Sequence, residues 1–110
     1  MSGRDSLGDF EQMALLAVLR LGDSAYGVTV MQEIQQRASR SVARGALYVT
    51  LERLESKGLL RSHFADPTPE RGGRAKRYFA VTEAGLEALR ASREALMRMW
   101  TGLEPVLEKP

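Results

Sequence analysis

The sequence contains no cysteine, a single histidine and a single tryptophan. Without cysteine the chain can form neither a disulfide nor a thiolate metal site, and its redox compartment is left undetermined. His63 would need carboxylates as the remaining ligands of a zinc ion, an arrangement that zinc sites rarely use. We therefore expect no metal and no cofactor.

Two further absences narrow the class of protein. No serine or carboxylate stands at a recognisable catalytic spacing from His63, and no glycine-rich phosphate loop follows a strand and opens a helix. No apolar run approaches the roughly 20 residues of a membrane span, and the N-terminal sequence lacks the layout of a signal peptide. We expect a cytoplasmic protein with one hydrophobic core that is neither an enzyme nor a membrane protein.

The clearest periodicity lies in residues 41–58. Its leucines fall at i, i+4 and i+7, along one face of a helix, and they are Leu47, Leu51 and Leu54. Ser41 is suited to accept a free amide hydrogen bond at the helix start, and Gly58 is suited to a left-handed helix end. These signals predict one helix from Ser41 to Gly58.

A hairpin with a basic loop is predicted to follow this helix. Residues 59–64 and 77–82 have the composition of strands, and the prolines and glycines between them exclude regular structure. Helix, strand, loop and strand is the order of a winged helix-turn-helix, in which the helix enters the major groove of DNA and the loop, or wing, touches the backbone or the minor groove. The predicted fold class is mostly α with a two-stranded β wing (α+β).

The charges of the chain are unevenly distributed. Residues 1–40 carry four cations and five anions, residues 41–77 eight and four, and residues 78–110 four and five. The three segments therefore contribute −1, +4 and −1, which sum to the net charge of +2. The positive excess lies where the helix and the wing would meet a polyanion. The alternative is a small α+β domain whose loop is basic only for solubility.

Two helices are predicted at the N-terminal end. Asp9 is placed to cap the first, over residues 10–21, and the second covers residues 26–38. Residues 13–19 are apolar on all sides, so the first helix needs cover on more than one face. A domain of this size covers one face with its own core, which suggests that a second copy covers the other.

A long helix is predicted over residues 83–103, with Thr82 as its cap. Apolar residues step by three and four along it, as in a coiled-coil seam, with a charged interruption at Arg93. Pro105 should bend or end the helix near Glu104. The alternative to pairing with a second copy is that this helix folds back as a fourth core helix. The predicted dimer interface comprises Leu15, Val18, Leu89, Leu96, Trp100 and Leu103.

One combination of residues points to a known family. It comprises Leu15-Leu16-Ala17-Val18-Leu19, Ala25-Tyr26-Gly27, Ser41-Val42, Gly45-Ala46-Leu47-Tyr48, Leu51, Leu54-Glu55, Gly58-Leu59, Glu70-Arg71-Gly72-Gly73-Arg74, Lys76, Arg77-Tyr78-Phe79, Thr82 and Gly85. On these residues the chain resembles the PadR-like transcriptional regulators, in the short subgroup with a single C-terminal helix after the winged domain. The resemblance covers nearly the whole chain, from about residue 7 to residue 104.

The resemblance implies a homodimeric repressor that binds a palindromic operator in double-stranded DNA, with its last helix against the partner's N-terminal helix. Some members respond to aromatic or drug-like compounds in a cavity at the dimer centre, so a small aromatic effector is implied as well. The chain departs from many relatives at Val28, where they have a second aromatic residue. Trp100 lies about a turn beyond the aromatic residue of their cavity, which corresponds to a position near Leu96.

The predicted DNA-binding residues form two groups. The helix group would contact the major groove and comprises Ser41, Arg44, Gly45, Tyr48, Val49 and Arg53. The wing group would contact phosphates or the minor groove and comprises Arg71, Gly72, Gly73, Arg74, Lys76 and Arg77. Tyr48 could instead pack at the edge of the core, and Arg77 could instead face across the hairpin. Gly45, which costs about 1 kcal/mol relative to alanine in a helix interior, could instead serve close helix packing.

We expect one structural domain with two functional regions, a DNA-binding region over residues 1–82 and a dimerisation helix over residues 83–110. Leu96, Met97 and Trp100 could form a platform for a flat ligand, although the same cluster suits simple interface packing. A rival function is a protein-interaction module that uses the winged fold as a scaffold and binds no specific operator.

Overall fold

The computed structural model describes residues 7–65 and 75–108. In these parts the helices are α1 (Asp9–Leu21), α2 (Gly27–Arg37), α3 (Arg44–Ser56), α4 (Glu83–Trp100) and α5 (Glu104–Leu107), and the strands are β1 (Leu60–Phe64) and β2 (Arg77–Val81). The two strands pair antiparallel, with Leu60 opposite Val81 and Phe64 opposite Arg77. The predicted fold class, mostly helical with a two-stranded sheet, is confirmed.

The core is built around α3, which contacts α1, α2 and β1. The three leucines predicted to form its buried face, Leu47, Leu51 and Leu54, are all fully inaccessible to solvent. They pack with Leu15 of α1 and Val30 of α2, which are equally buried. Burial of a leucine side chain contributes roughly 1.5–3 kcal/mol, so the leucine stripe holds α3 in one rotational orientation.

The predicted starts of α1 and α3 are wrong by one and three residues. α3 begins at Arg44 after the N-cap residue Ala43, which has no side-chain cap, so Ser41 does not cap it. α1 begins at Asp9 after Gly8, and Asp9 is therefore the first helical residue and not the cap. There the Gly8 amide donates to Glu11 Oε1 at 3.0 Å. This bond is one half of a capping box, and Gly8 has no side chain to supply the other half.

The end of α3 follows the sequence prediction. Gly58 has a φ of 80°, which favours glycine. Its amide donates to the Glu55 carbonyl at 2.9 Å, and the Leu59 amide donates to the Leu54 carbonyl at 2.9 Å. These two bonds form a Schellman motif, which satisfies the last carbonyls of the helix and directs the chain into β1.

The start of α4 is confirmed and its end is not. Thr82 Oγ1 accepts a hydrogen bond from the Gly85 amide at 3.1 Å, as its predicted role as cap requires. α4 ends at Trp100 rather than Leu103, because the chain turns at Gly102, where φ is 87°. Leu103 therefore lies outside the helix, and Pro105 belongs to the short α5.

The second half of α4 leaves the body of the chain. All residues from Arg93 to Trp100 are exposed, whereas Leu86 and Leu89 nearer the start of the helix are half-buried. Close packing of Gly85 fixes the start, because a Cβ there would overlap the carbonyl oxygen of Leu59. Within residues 7–65 and 75–108, no helix has the length and apolar character needed to cross a membrane.

Candidate nucleic-acid interface

The face of α3 opposite the leucine stripe is open to solvent. Arg44, Gly45 and Tyr48 are exposed, and Val49 retains 60% of its accessible surface. Ser41 is exposed as well, in the segment that leads into the helix. The structure therefore brings the predicted helix group together on one surface, with Arg53 at its far end.

Gly45 has no packing role within the described chain. A Cβ placed on it would meet none of the described atoms within 4 Å, so close packing against a neighbouring helix does not explain the glycine. Because α3 begins at Arg44, Gly45 lies in the first turn and not in the helix interior as predicted. The N-cap residue Ala43 supplies no side-chain acceptor, and the amides of this turn are thus available to an anion from outside.

Tyr48 lies across the start of α2. A Cβ on Gly27 would overlap the Tyr48 hydroxyl and ring, so the glycine is what lets the ring lie this close. The ring of Tyr48 packs on α2, as the alternative of packing at the edge of the core requires. The residue is still exposed, as a contact with DNA would require. An open cleft of about 550 Å³ adjoins it, and its lining includes Phe64 and Lys76.

Lys76 stands where the chain enters β2. Its Nζ lies 4.0 Å from the centroid of the Tyr26 ring, a cation–π contact that orients the ammonium group beside the cleft. Tyr26 in turn meets the edge of Tyr78, with 5.4 Å between ring centroids. Four residues of the predicted wing group, Arg71, Gly72, Gly73 and Arg74, lie outside the described residues.

Arg53 is held by a carboxylate from α1. Its Nε lies 3.0 Å from Glu11 Oε2, and Lys57 Nζ lies 3.2 Å from the same oxygen. Glu11 keeps only 7% of its surface. Burial alone would raise the pKa of Glu11, but the hydrogen bonds from the Gly8 amide, Arg53 and Lys57 outweigh it and lower the pKa. The sequence pattern does not identify Glu11, because its partners lie more than 40 positions away.

Arg77 is turned back onto α3. Its guanidinium contacts Glu52 Oε2 and Glu55 Oε1, each at 2.5 Å, and its Nε donates to Ser62 Oγ at 3.0 Å. Arg77 is predicted from the sequence to contact DNA, and the structure instead directs all three nitrogens of its guanidinium group toward partners in the same chain.

Two of the predicted dimer residues belong to the core. Leu15 and Val18 are buried within one chain, so neither can contact a partner, and the prediction for them is wrong. Because the first helix is apolar on all sides, its sequence does not reveal which face the core takes. The apolar side chains that α1 leaves exposed are Leu16 and Leu19, at 47% and 43%. On the C-terminal segment, Leu96, Met97, Trp100 and Leu103 are exposed, and Leu89 is half-buried.

Comparison with known proteins places the chain in a group of regulators. A profile of the transcriptional regulator PadR-like family matches residues 15–91. The transcriptional regulator Rv3488 of Mycobacterium tuberculosis is 40% identical over 74 residues, which make up 67% of this chain and 64% of that relative. The chain therefore spans about 64% of the length of this relative.

Solved structures share the fold. A PadR-like transcriptional regulator from Bacillus cereus superimposes with a TM-score of 0.69 at 18% identity, over 92% of this chain and 93% of its own. A PadR family regulator from Eggerthella lenta gives a TM-score of 0.63 at 25% identity, over 90% and 87%.

These matches, together with the helices and the paired strands, define a winged-helix transcriptional regulator. The chain belongs to the PadR-like family, as the match to residues 15–91 shows. The resemblance inferred from the sequence is thereby confirmed. Members of this family are transcriptional regulators, so the prediction that the chain is not an enzyme is confirmed as well.

Replacing Glu11 tests the buried ion pair. We expect Glu11→Gln to lower the free energy of unfolding by about 1.5–3 kcal/mol at pH 7, because hydrogen bonds to a charged group are lost. The pKa of Glu11 is lowered in the folded state, so its contribution is fully present above the ordinary glutamate pKa of about 4.3 and is lost as the pH falls through the lower, folded value. Urea unfolding at several pH values measures both effects.

The matched control is Glu33→Gln, which removes an exposed i,i+4 pair with Arg37. Its cost should stay below about 0.5 kcal/mol. Equal costs for the two variants, or a Glu11→Gln cost that persists unchanged in acid, would contradict a special role for Glu11.

Proposed function

We propose that the protein is a homodimeric regulator that binds a specific, palindromic operator in double-stranded DNA and represses transcription. The observation that carries this proposal is the outward surface of α3, where a Cβ placed on Gly45 would meet none of the described atoms within 4 Å. A glycine that no internal packing requires is explained by close approach of an external molecule. Arg44 and Val49 flank it with a cation and an apolar contact, a combination that suits the edges of bases.

The surrounding charge favours DNA as that molecule. Residues 41–77 carry eight cations against four anions, and they supply the positive excess of the chain. Lys76 stands at the root of the wing beside the exposed Tyr48. The uncapped start of α3 adds amide donors of the kind that bind phosphate. Phosphate contacts of this sort would set the register of the helix in the groove, and base contacts would supply specificity.

The exposed apolar side chains favour a dimer. Leu96 and Trp100, one turn apart on α4, retain 53% and 40% of their surface, and α1 exposes Leu16 and Leu19. Pairing α4 with α1 and α4 of a second copy would remove this apolar area from water, which is the dominant favourable term in association. Two copies related by a twofold axis would present two α3 helices to successive major grooves, about 34 Å apart.

An effector site is a further part of the proposal. Leu96, Met97 and Trp100 are exposed along the second half of α4, and they would come to lie beside their counterparts at the centre of such a dimer. A small aromatic compound bound there could relieve repression by shifting the two α3 helices relative to each other. A ligand achieves this only if it binds one arrangement of the dimer more tightly than the other.

The contribution of Arg44 tests operator binding. We expect Arg44→Ala to weaken binding to the upstream DNA of its own gene by about tenfold and to reduce the salt slope by about 0.9, if it neutralises one phosphate. The control is Arg98→Ala, which removes an exposed cation from α4, away from its apolar seam. Fluorescence anisotropy at several salt concentrations measures both quantities.

The same titrations distinguish operator binding from the rival function. A protein-interaction module would bind the upstream DNA no more tightly than bulk competitor DNA. Equal affinity for the two, or identical behaviour of Arg44→Ala and Arg98→Ala, would remove operator binding as the function.

Gly45 offers a test in which stability and affinity move in opposite directions. Gly45→Ala should raise the free energy of unfolding by about 0.4–1 kcal/mol, because alanine restricts the unfolded chain and meets no clash here. It should at the same time weaken operator binding, because the new methyl group stands between the helix and the groove. Thermal unfolding and binding titrations on one preparation measure both. Unchanged affinity in a more stable variant would contradict close approach at this position.

The proposed interface is tested by Leu96→Glu. A carboxylate in the apolar seam should shift the molecule to a mass near that of one chain, 12.2 kDa, because burial of an unpaired charge opposes association. Ala95→Glu is the matched control, since it adds the same charge at the exposed neighbouring position, away from the seam. Light scattering after size-exclusion chromatography gives both masses. A monomeric wild type, or a dimeric Leu96→Glu variant, would contradict this interface.

A further inference from the structure

The wing strands are joined to α3 by a closed set of polar contacts. Arg77, the first residue of β2, contacts Glu52 and Glu55 of α3. Ser62 of β1 accepts a hydrogen bond from Arg77 Nε at 3.0 Å and donates to the Glu55 carboxylate, whose nearer oxygen lies at 2.8 Å. One guanidinium, two carboxylates and one hydroxyl therefore link three elements, and we call this set the Arg77 cluster.

The charge of the Arg77 cluster is unexpected for a surface that meets DNA. Two carboxylates around one guanidinium leave a net charge of −1, which a phosphate backbone would repel. Glu52 is itself well exposed on α3, three positions after Val49. If attraction to DNA were the only requirement, neutral residues would serve better at positions 52 and 55. We therefore infer that these two carboxylates have another role.

The geometry indicates what that role is. The two strands have five residues each, and a two-stranded hairpin of this size is marginally stable by itself. Glu52 and Glu55 project from successive turns of α3. The planar, forked guanidinium of Arg77 contacts both of their carboxylates. Its Cζ also lies 5.1 Å from the centroid of the Phe79 ring, which is buried in the core. The two strands are thus fixed both to α3 and to the core.

The protonation of the cluster supports the same role. Burial would raise the pKa of Glu55, but hydrogen bonds from Ser62 and Arg77 outweigh it and lower the pKa. The pKa of Arg77 is raised, first by its hydrogen bond to Glu52 and further by Glu55. The Glu55 carboxylate and the Arg77 guanidinium are therefore charged at neutral pH, and the hydrogen bond between them is of the strong, charge-assisted kind.

We propose that Arg77 is a positioning residue and not a DNA contact: together with Glu52 and Glu55 it fixes strands β1 and β2 to α3, so that the helix and the two strands meet the operator in one fixed arrangement. This inference rests on the proposed DNA-binding function. Strands that are already fixed to α3 lose less conformational freedom on binding, and preorganisation of this kind strengthens specific association. Binding to DNA of arbitrary sequence depends mainly on charge and gains much less from it.

Glu55→Gln separates positioning from charge, because the two predict changes of opposite sign. Removing an anion beside DNA should tighten binding to all sequences if charge alone matters. If Glu55 positions the wing through Arg77, operator affinity should instead fall by about tenfold, while affinity for bulk DNA stays equal or rises. The control is Glu94→Gln, which removes an exposed anion from α4 and should leave the ratio of the two affinities unchanged.

Arg77→Lys supplies the second variant. A lysine keeps the charge but cannot contact both carboxylates as a fork, so positioning predicts the same loss of operator affinity, whereas a direct phosphate contact predicts little loss. If Glu55→Gln fails to fold, Glu52→Gln takes its place, because Glu52 is the more exposed partner. Hydrogen exchange of the DNA-free protein gives an independent readout, in which the amides of β1 and β2 should exchange faster in each cluster variant.

The outcomes are distinguishable. The positioning role is overturned if Glu55→Gln, or its substitute Glu52→Gln, binds the operator at least as tightly as the wild type. It is also overturned if Arg77→Lys keeps the full operator affinity. Unchanged exchange of the strand amides overturns it too. Wild-type protein that does not prefer its operator over bulk DNA overturns the proposed function instead, and faster strand exchange in the variants would then still be seen.

Discussion

Burial of three leucines on one face of α3 is the constraint on which the rest of the structure depends. Leu47, Leu51 and Leu54 are withdrawn completely from water, so rotation of the helix about its axis would expose apolar surface that is costly to hydrate. The opposite face is therefore presented at a fixed angle, with Gly45 and Val49 outward. α1 and α2 supply the matching apolar surface, and the winged fold follows from covering this single helix.

Ion pairs then determine which cations remain available to DNA. Arg53 and Lys57 share the buried carboxylate of Glu11, and Arg77 is directed at two glutamates of α3. Among the cations of residues 41–77 that the structure describes, Arg53, Lys57 and Arg77 thus have carboxylate partners in their own chain. The charge of the segment alone does not reveal that these three cations are paired with carboxylates of the same chain. The paired cations instead fix α3 to α1 at one side and to strands β1 and β2 at the other.

The sequence predicted those features that local chemistry determines. The leucine stripe, the glycine end at Gly58 and the cap at Thr82 depend on neighbours within one or two turns, and each is confirmed. Contacts between distant segments were missed, among them the pairing of Glu11 with α3 and the pairing of Arg77 with Glu52 and Glu55. The choice between the two faces of α1 was also missed, because a helix that is apolar on all sides carries no signal of which face the core takes.

The central claim is that the outward face of α3 lies in the major groove of a specific DNA site. Protection of guanine N7 atoms from dimethyl sulfate tests it most directly, because N7 is exposed in the major groove. Wild-type protein on its own upstream DNA should protect guanines in two half-sites whose centres are about 34 Å apart. Protection that is absent, or that spreads evenly over unrelated DNA, would contradict the claim.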